Sequence, residues 1–157
     1  MKKRFILLSF IIVLIDQIIK IIVMNNMRLY QSIEIIKNFF SITYVKNDGA
    51  AFSSFSGKGL ILVLLAIIVL IILLLYIKKK DNISKIEMIS YIMIIGGIIG
   101  NTLDRVIYGQ VIDYLDFYIF GYNYPVFNFA DINIVCGVIL LGYYIIRSEK
   151  NDSSKGK

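Results

Sequence analysis

The sequence predicts an all-α integral membrane protein with four transmembrane helices and a small extracytoplasmic β-sheet lying on the membrane surface. The chain has 157 residues, 58% of them hydrophobic and 18% charged, with a mean hydropathy of +0.76. Soluble domains average about 45–50% apolar and about 25% charged residues, so this chain is too apolar for that class. Its length predicts a single domain, residues 1–157.

Four apolar stretches approach or reach the ~20 residues that a helix needs to cross ~30 Å of hydrocarbon. The predicted spans cover about residues 5–24, 59–77, 86–107 and 130–147. The second span carries no charge. The first begins like a signal peptide, but no small-residue cleavage site follows its apolar stretch, so we expect a retained helix.

The distribution of Lys and Arg predicts the orientation of these spans. Eleven such residues lie on one side of a four-span chain, at positions 2, 3, 4, 78, 79, 80, 85, 147, 150, 155 and 157. The other side has Arg28, Lys37, Lys46, Lys58 and Arg105. The positive-inside rule therefore predicts that both termini are cytoplasmic and that segments 25–58 and 108–130 face outward. We expect the polar tail 148–157 to fray on the cytoplasmic side.

The two outward segments have different patterns. Phe40, Ile42 and Tyr44 recur at every second position, which is typical of a half-buried strand, and the Asn-Asp-Gly sequence at 47–49 predicts the turn that ends it. Eight aromatic residues lie in segment 114–129, a density typical of the headgroup layer of a membrane. These patterns favour a small sheet on the outer membrane surface.

The composition excludes several chemistries. The chain has no histidine and a single cysteine, Cys136, which we expect to be a packing residue. The commonest zinc ligand and the base of Ser-His-Asp or Cys-His catalysis are therefore absent, so we predict no metal and no cofactor. The net charge of +6 comes in short basic blocks beside apolar runs, which indicates membrane topology rather than nucleic-acid binding.

Charged residues inside the first span are costly and therefore candidates for a role. Asp16 and Lys20 are four residues apart, on one helical face, with the acid N-terminal as an ion pair prefers. A structural ion pair is one interpretation. In the other, Lys20 extends to the outer interface and leaves Asp16 to meet another helix.

The third span combines close-packing glycines with a polar face. Gly96 and Gly100 have the small-xxx-small spacing, which serves internal packing as well as a dimer, although we expect a monomer. Asn101, Asp104 and Arg105 follow on one helical face. At membrane depth this face needs a polar partner. The spacing is compatible with two interpretations, a structural hydrogen-bond node and a clamp that binds substrate.

Asp113 and Asp131 lie at the same predicted outer interface, flanked by apolar and aromatic residues. Taken singly, Asp113 is a loop acid and Asp131 a first-turn acid of a helix. Taken together, two carboxylates in a partly apolar site share one proton, as aspartyl peptide hydrolysis requires. Asp116 is a weaker candidate.

Two other function classes fit parts of the pattern. A small proton-coupled transporter would use intramembrane acids as a relay, namely Asp16, Asp104, Asp113 and Asp131. Three of these four acids cluster toward one interface, and the second span has no polar residue that could continue a proton relay across the membrane. If the chain were a structural or lytic membrane protein, the polar face of the third span would have no explanation.

The polar motifs in their order along the chain resemble those of bacterial lipoprotein signal peptidase, the type II signal peptidase. The matching blocks are Asp16–Lys20, Asn47–Phe52, Gly100–Arg105, Val111–Tyr114 and Phe127–Asp131. The resemblance implies a multi-pass aspartyl endopeptidase of the bacterial cell membrane, with its site facing outward. It also implies cleavage of prolipoproteins, in the membrane lipid, just before a cysteine that carries a diacylglyceryl group.

The resemblance assigns roles residue by residue. Asp113 and Asp131 match the catalytic pair. Residues that match substrate-binding or site-ordering positions are Asn47, Asn101, Asp104, Arg105 and Asn128. Asp16 and Lys20 match a polar pair whose expected role is structural.

Overall fold

The computed structural model describes residues 2–49 and 57–155 of the chain. Four helices and four strands lie in these residues, and their bounds follow in chain order. They are α1 (Lys2–Asn26), β1 (Ser32–Ile36), β2 (Phe40–Asn47), α2 (Gly59–Lys79), α3 (Lys85–Tyr108), β3 (Val111–Ile119), β4 (Tyr122–Asn123) and α4 (Phe129–Lys155). The predicted fold class, four helices with a small sheet, is confirmed.

All four helices are long and apolar enough to cross a membrane. The candidate spans are Phe5–Asn26, Gly59–Lys79, Lys85–Tyr108 and Phe129–Ser148. They differ in how much of their surface the protein covers, since the α3 span is 56% buried and the α2 span only 6%. An apolar helix that the protein leaves uncovered is expected to face lipid, so α2 lies at the periphery and α3 at the centre.

Helix α3 occupies the centre because its glycines let two neighbours approach closely. A Cβ atom on Gly96 would lie 2.8 Å from Ile12 Cβ of α1, and one on Gly97 would lie 2.7 Å from Ile134 Cγ1 of α4. The sequence spacing of Gly96 and Gly100 was compatible with either internal packing or a dimer. In the structure these glycines serve packing within the chain. This packing brings the polar residues of α1, α3 and α4 to one level.

The sheet has the order β1-β2-β3-β4, and neighbouring strands are antiparallel. The sequence pattern predicted β2, whereas β1 and β3 were not predicted as strands. The buried residues under the sheet are Val23, Tyr44, Ile112 and Tyr114. They pack the start of β3 against the C-terminal end of α1, so this end of the strand is held by the helices.

The connection from α3 to β3 is short. Gly109 ends α3 in the left-handed conformation, with φ of 74°, which costs glycine little because it has no Cβ. The strand begins two residues later at Val111. Asp104 in the last turns of α3 therefore lies near the first residues of β3.

The polar tail differs from the expectation of a frayed end. Helix α4 continues through Lys155 and so includes most of segment 148–157. The segment contains no proline, and its glycine comes only at position 156. Without a residue that breaks the backbone hydrogen bonds, the helix extends beyond the apolar span.

We predict that Gly100→Ala destabilises the protein whereas Gly142→Ala does not. A Cβ on Gly100 would lie 2.6 Å from Asp16 Oδ2 and displace this carboxylate, while a Cβ on Gly142 meets no atom within 4 Å. Overpacking costs about 1–3 kcal/mol, whereas alanine favours a helix over glycine by about 1 kcal/mol. Thermal unfolding in detergent should show a lower Tm for Gly100→Ala only, and equal Tm values would contradict this packing.

Candidate active site

The tertiary structure brings the two candidate catalytic acids together from distant parts of the chain. Asp113 lies near the start of β3 and is 2% exposed, and Asp131 lies in the first turn of α4. Asn128 contacts both, because its Nδ2 donates to Asp113 Oδ1 at 2.7 Å and its backbone N–H donates to Asp131 Oδ2 at 3.2 Å. One residue therefore holds both carboxylates beside each other.

The first turn of α4 fixes Asp131. The backbone N–H of Asp131 donates to Asn128 Oδ1 at 2.9 Å, and Asp131 Oδ2 accepts from the Asn128 backbone in return. This reciprocal arrangement has the pattern of a capping box. Asp131 is therefore both an acid in the first turn of α4 and a member of the candidate site. The positive end of the helix dipole stabilises its carboxylate.

Asn101 of α3 connects Asp131 to the interior of the helix bundle. Its Nδ2 donates to Asp131 Oδ1 at 2.6 Å. Its Oδ1 accepts from Asn128 Nδ2 at 3.1 Å and from Lys20 Nζ at 3.1 Å. The polar face of α3 is thus a hydrogen-bond node that contacts α1, α4 and the residue before α4.

Lys20 lies at the base of this network and is completely buried. Its ammonium contacts Asp16 at 2.8 Å, Asp104 at 2.7 Å and Asn101 Oδ1 at 3.1 Å. The structure therefore has the Asp16–Lys20 ion pair, and the interpretation in which Lys20 extends to the interface is wrong. An ammonium has three N–H donors, and here each has one partner.

Asp16 and Asp104 position the residues that precede the two candidate catalytic acids. Asp16 Oδ1 accepts from the backbone N–H of Ala130 at 3.0 Å. Asp104 Oδ2 accepts from the backbone N–H of Ile112 at 3.1 Å. Each buried carboxylate thus holds the backbone one residue before Asp131 or Asp113.

Gln17 completes this layer and was not among the predicted site residues. Its Nε2 donates to Asp104 Oδ1 at 2.8 Å and lies 3.3 Å from the carbonyl oxygen of Gly100. The signal in the sequence was its position, since a polar side chain beside Asp16 at membrane depth needs a partner of its own.

Asn47 and Arg105 connect the site to the turn that follows β2. Asn47 Nδ2 donates to Asp113 Oδ2 at 3.0 Å, and its Oδ1 accepts from the Gly49 backbone N–H at 3.0 Å. This is the turn predicted from the Asn-Asp-Gly sequence. Arg105 Nη2 donates to the Gly49 carbonyl oxygen at 2.8 Å. The rest of the Asn47–Phe52 block, from Ala50 on, lies outside the described residues.

Asp116 has a different environment. Its Oδ2 accepts from Thr43 Oγ1 at 2.6 Å, and Thr43 in turn bonds to Ser32 at 2.7 Å across the sheet. These contacts bind the acid to strands β1 and β2. The structure therefore does not bring Asp116 into the network around Asn128.

Among residues 2–49 and 57–155, no three His, Cys, Asp or Glu side chains are placed to hold a metal ion.

The electrostatics of the pair favour a shared proton. Burial raises the pKa of Asp113 to about 7, and the nearby Asp131 carboxylate also raises it, while the amides of Asn47 and Asn128 lower it. A carboxyl group that is half protonated near neutral pH can donate a proton, and an ionised neighbour can accept one. The arrangement is thus capable of general acid–base chemistry without a metal or a nucleophilic side chain.

We predict that the stability of Asp113→Asn relative to the parent chain increases as the pH rises toward about 7 and decreases as the pH falls. The carboxyl pKa is 3.8 unperturbed and about 7 in the fold, so the folded state loses stability as pH rises between these values. The difference corresponds to at most about 4 kcal/mol. Tm values of both proteins between about pH 5 and 8 test this, and a difference that does not vary with pH would contradict it.

Comparison with known proteins identifies the family. The model of the family described as Signal peptidase (SPase) II matches residues 8–147. A lipoprotein signal peptidase of Halothermothrix orenii is 41% identical over 89% of this chain and 93% of its own length. One of Clostridium acetobutylicum is 40% identical over 92% of this chain and 94% of its own length.

A solved structure has the same architecture. It is described as a bacterial membrane enzyme determined by the in meso method at 2.3 Å resolution. Its TM-score to this chain is 0.85 and its sequence identity is 35%, with 99% of this chain and 92% of the other covered. Together with the family model and the relatives, this similarity extends over both candidate acids and all four spans. The chain belongs to the signal peptidase II family.

Proposed function

We propose that this signal peptidase II removes signal peptides from prolipoproteins by general acid–base catalysis, with Asp113 and Asp131 as the catalytic pair. The substrate class follows from the names of the relatives, which are lipoprotein signal peptidases. The observation that carries the catalytic assignment is the shared contact with Asn128, which holds the two carboxylates side by side. The low exposure of Asp113 supports it further.

Hydrolysis by this pair needs only water as the co-reactant. The ionised carboxylate removes a proton from water as the water oxygen attacks the scissile carbonyl carbon, and the protonated carboxyl donates its proton to the carbonyl oxygen. The tetrahedral intermediate then collapses, and the leaving nitrogen takes up a proton from the first carboxyl group. The products are the signal peptide and a mature chain with a free amino group.

The level of the site suits a substrate that stays in lipid. Asp113 and Asp131 lie close to helix ends, where α4 begins and where β3 follows α3. A signal peptide is apolar, and we propose that the residue after its cleavage site is a cysteine with a diacylglyceryl group. The scissile bond of such a substrate reaches the interface while its acyl chains and apolar helix remain in the bilayer.

We also propose the orientation and the assembly. The excess of Lys and Arg supports cytoplasmic termini and an outward-facing site in the bacterial cell membrane. We propose a monomer, because the closely spaced glycines of α3 are used for packing within the chain. The proposed reaction uses the two carboxylates and water, and it requires no metal, cofactor or nucleic acid.

The transporter alternative is not favoured. A proton relay needs acids in line across the bilayer. Asp16 and Asp104 instead both bind Lys20 and each accept a backbone N–H, so they form a closed cluster next to the candidate pair. Helix α2 offers no acid within its span Gly59–Lys79.

We predict that Asp113→Asn and Asp131→Asn each lower cleavage of a diacylglyceryl-modified prolipoprotein by at least about 10²–10⁴-fold, the contribution of a general acid or base. Asp116→Asn is the matched control on the same strand, because Thr43 can still bond to the amide oxygen. Purified proteins in detergent, each shown to be folded, provide the comparison. Retained cleavage in either folded dyad variant would move catalysis to another residue.

We predict that a cysteine replacing Lys37 is labelled by a membrane-impermeant maleimide in intact cells, whereas one replacing Ser154 is labelled only after the cells are opened. Lys37 is exposed in the turn between β1 and β2, and position 154 belongs to the C-terminal part of α4. Cys136→Ala serves as the background to remove the native thiol. The opposite labelling pattern would invert the proposed orientation.

A further inference from the structure

The buried ammonium of Lys20 determines which way the Asn101 amide points. An ammonium has only donors, so it requires the amide oxygen of Asn101, which lies 3.1 Å from Nζ. The amide nitrogen must then point away from Lys20, and it donates to Asp131 Oδ1 at 2.6 Å. The buried charge of Lys20 therefore fixes the orientation of the Asn101 amide, and with it the N–H donor that Asp131 receives.

The two candidate catalytic acids therefore receive N–H donors of different strength. The donor to Asp131 is an amide whose oxygen accepts from both Lys20 and Asn128, and such polarisation strengthens the N–H of the same amide. The donors to Asp113 are the amides of Asn47 and Asn128. In the part of the chain that the structure describes, the oxygens of these two amides accept backbone N–H groups, from Gly49 and Asp131, which are neutral.

The charges around Asp131 support the same asymmetry. From α1, Lys20 and Asp16 face the site as an ion pair. The facing groups of α3 are Asp104, which also binds Lys20, and Arg105, whose guanidinium interacts with both acids of the pair. From β3 come Asp113 and the Tyr114 hydroxyl, which accepts from the Phe129 backbone. Asp131 alone of the pair also lies in the first turn of a helix, where the dipole favours an anion.

We propose that Asn101 is a positioning residue that makes Asp131 the ionised member of the pair and leaves the shared proton on Asp113. This inference rests on the proposed function and assigns the two roles within it. Asp131 then takes the proton from the attacking water, and Asp113 gives its proton to the carbonyl oxygen. When the intermediate collapses, the nitrogen takes the proton from Asp131 and Asp113 regains its own, so each turnover restores the starting state.

The pH dependence of kcat/KM separates the two roles, because its acid limb reports the base and its basic limb the acid of the free enzyme. Asn101→Ala removes a donor from Asp131 only, and Asn47→Ala removes one from Asp113 only. Loss of an N–H donor destabilises the charged form and raises the pKa of that acid by about one pH unit. We expect Asn101→Ala to move the acid limb upward and Asn47→Ala to move the basic limb upward.

The reverse pattern, in which Asn47→Ala moves the acid limb and Asn101→Ala the basic limb, would overturn the assignment. Unchanged limbs in both variants would overturn the positioning role of Asn101. If Asn101→Ala does not fold, Asn101→Ser replaces it, since its shorter side chain also ends the contact with Asp131, and the same limb should move. A chain that cleaves no prolipoprotein even without substitution would instead refute the proposed function, so the two failures are distinguishable.

Discussion

The buried ion cluster of Lys20 with Asp16 and Asp104 is the interaction on which the rest of the site depends. A lysine at membrane depth is costly, and the loss of one partner from a buried pair costs about 3–5 kcal/mol. Here the ammonium is compensated by two carboxylates and one amide oxygen. The cluster joins α1 to α3, and through backbone N–H groups it holds the first residues of β3 and α4 as well.

The cluster distinguishes the two carboxylates that contact Lys20 from the two that we propose are catalytic. Asp16 and Asp104 both contact the single ammonium of Lys20, and each also accepts a backbone N–H. Asp113 and Asp131 instead accept from amide and backbone N–H groups, which favours one proton shared by the pair. Four carboxylates of the same type thus have different environments because of the groups that face them.

Several elements could be predicted because their signals are local. The four helices follow from apolar length, strand β2 from alternation, and the turn at 47–49 from its Asn-Asp-Gly residues. Strand β3 was missed because its residues, VIDYLDFYI, do not alternate regularly between apolar and polar. Gln17 was missed because its partners, Asp104 and Gly100, lie more than 80 residues away in the chain.

The sequence by itself determined the class of protein, the approximate spans, the absence of histidine chemistry and the acids available for catalysis, because composition and short-range periodicity contain this information. Only the tertiary structure decided which acids meet and what each one contacts. Asp113 and Asp131 become neighbours through the close packing of α3 with α1 and α4 and the short turn at Gly109. The environment that distinguishes a catalytic from a structural carboxylate is a property of distances and burial, and these arise when separate elements pack together.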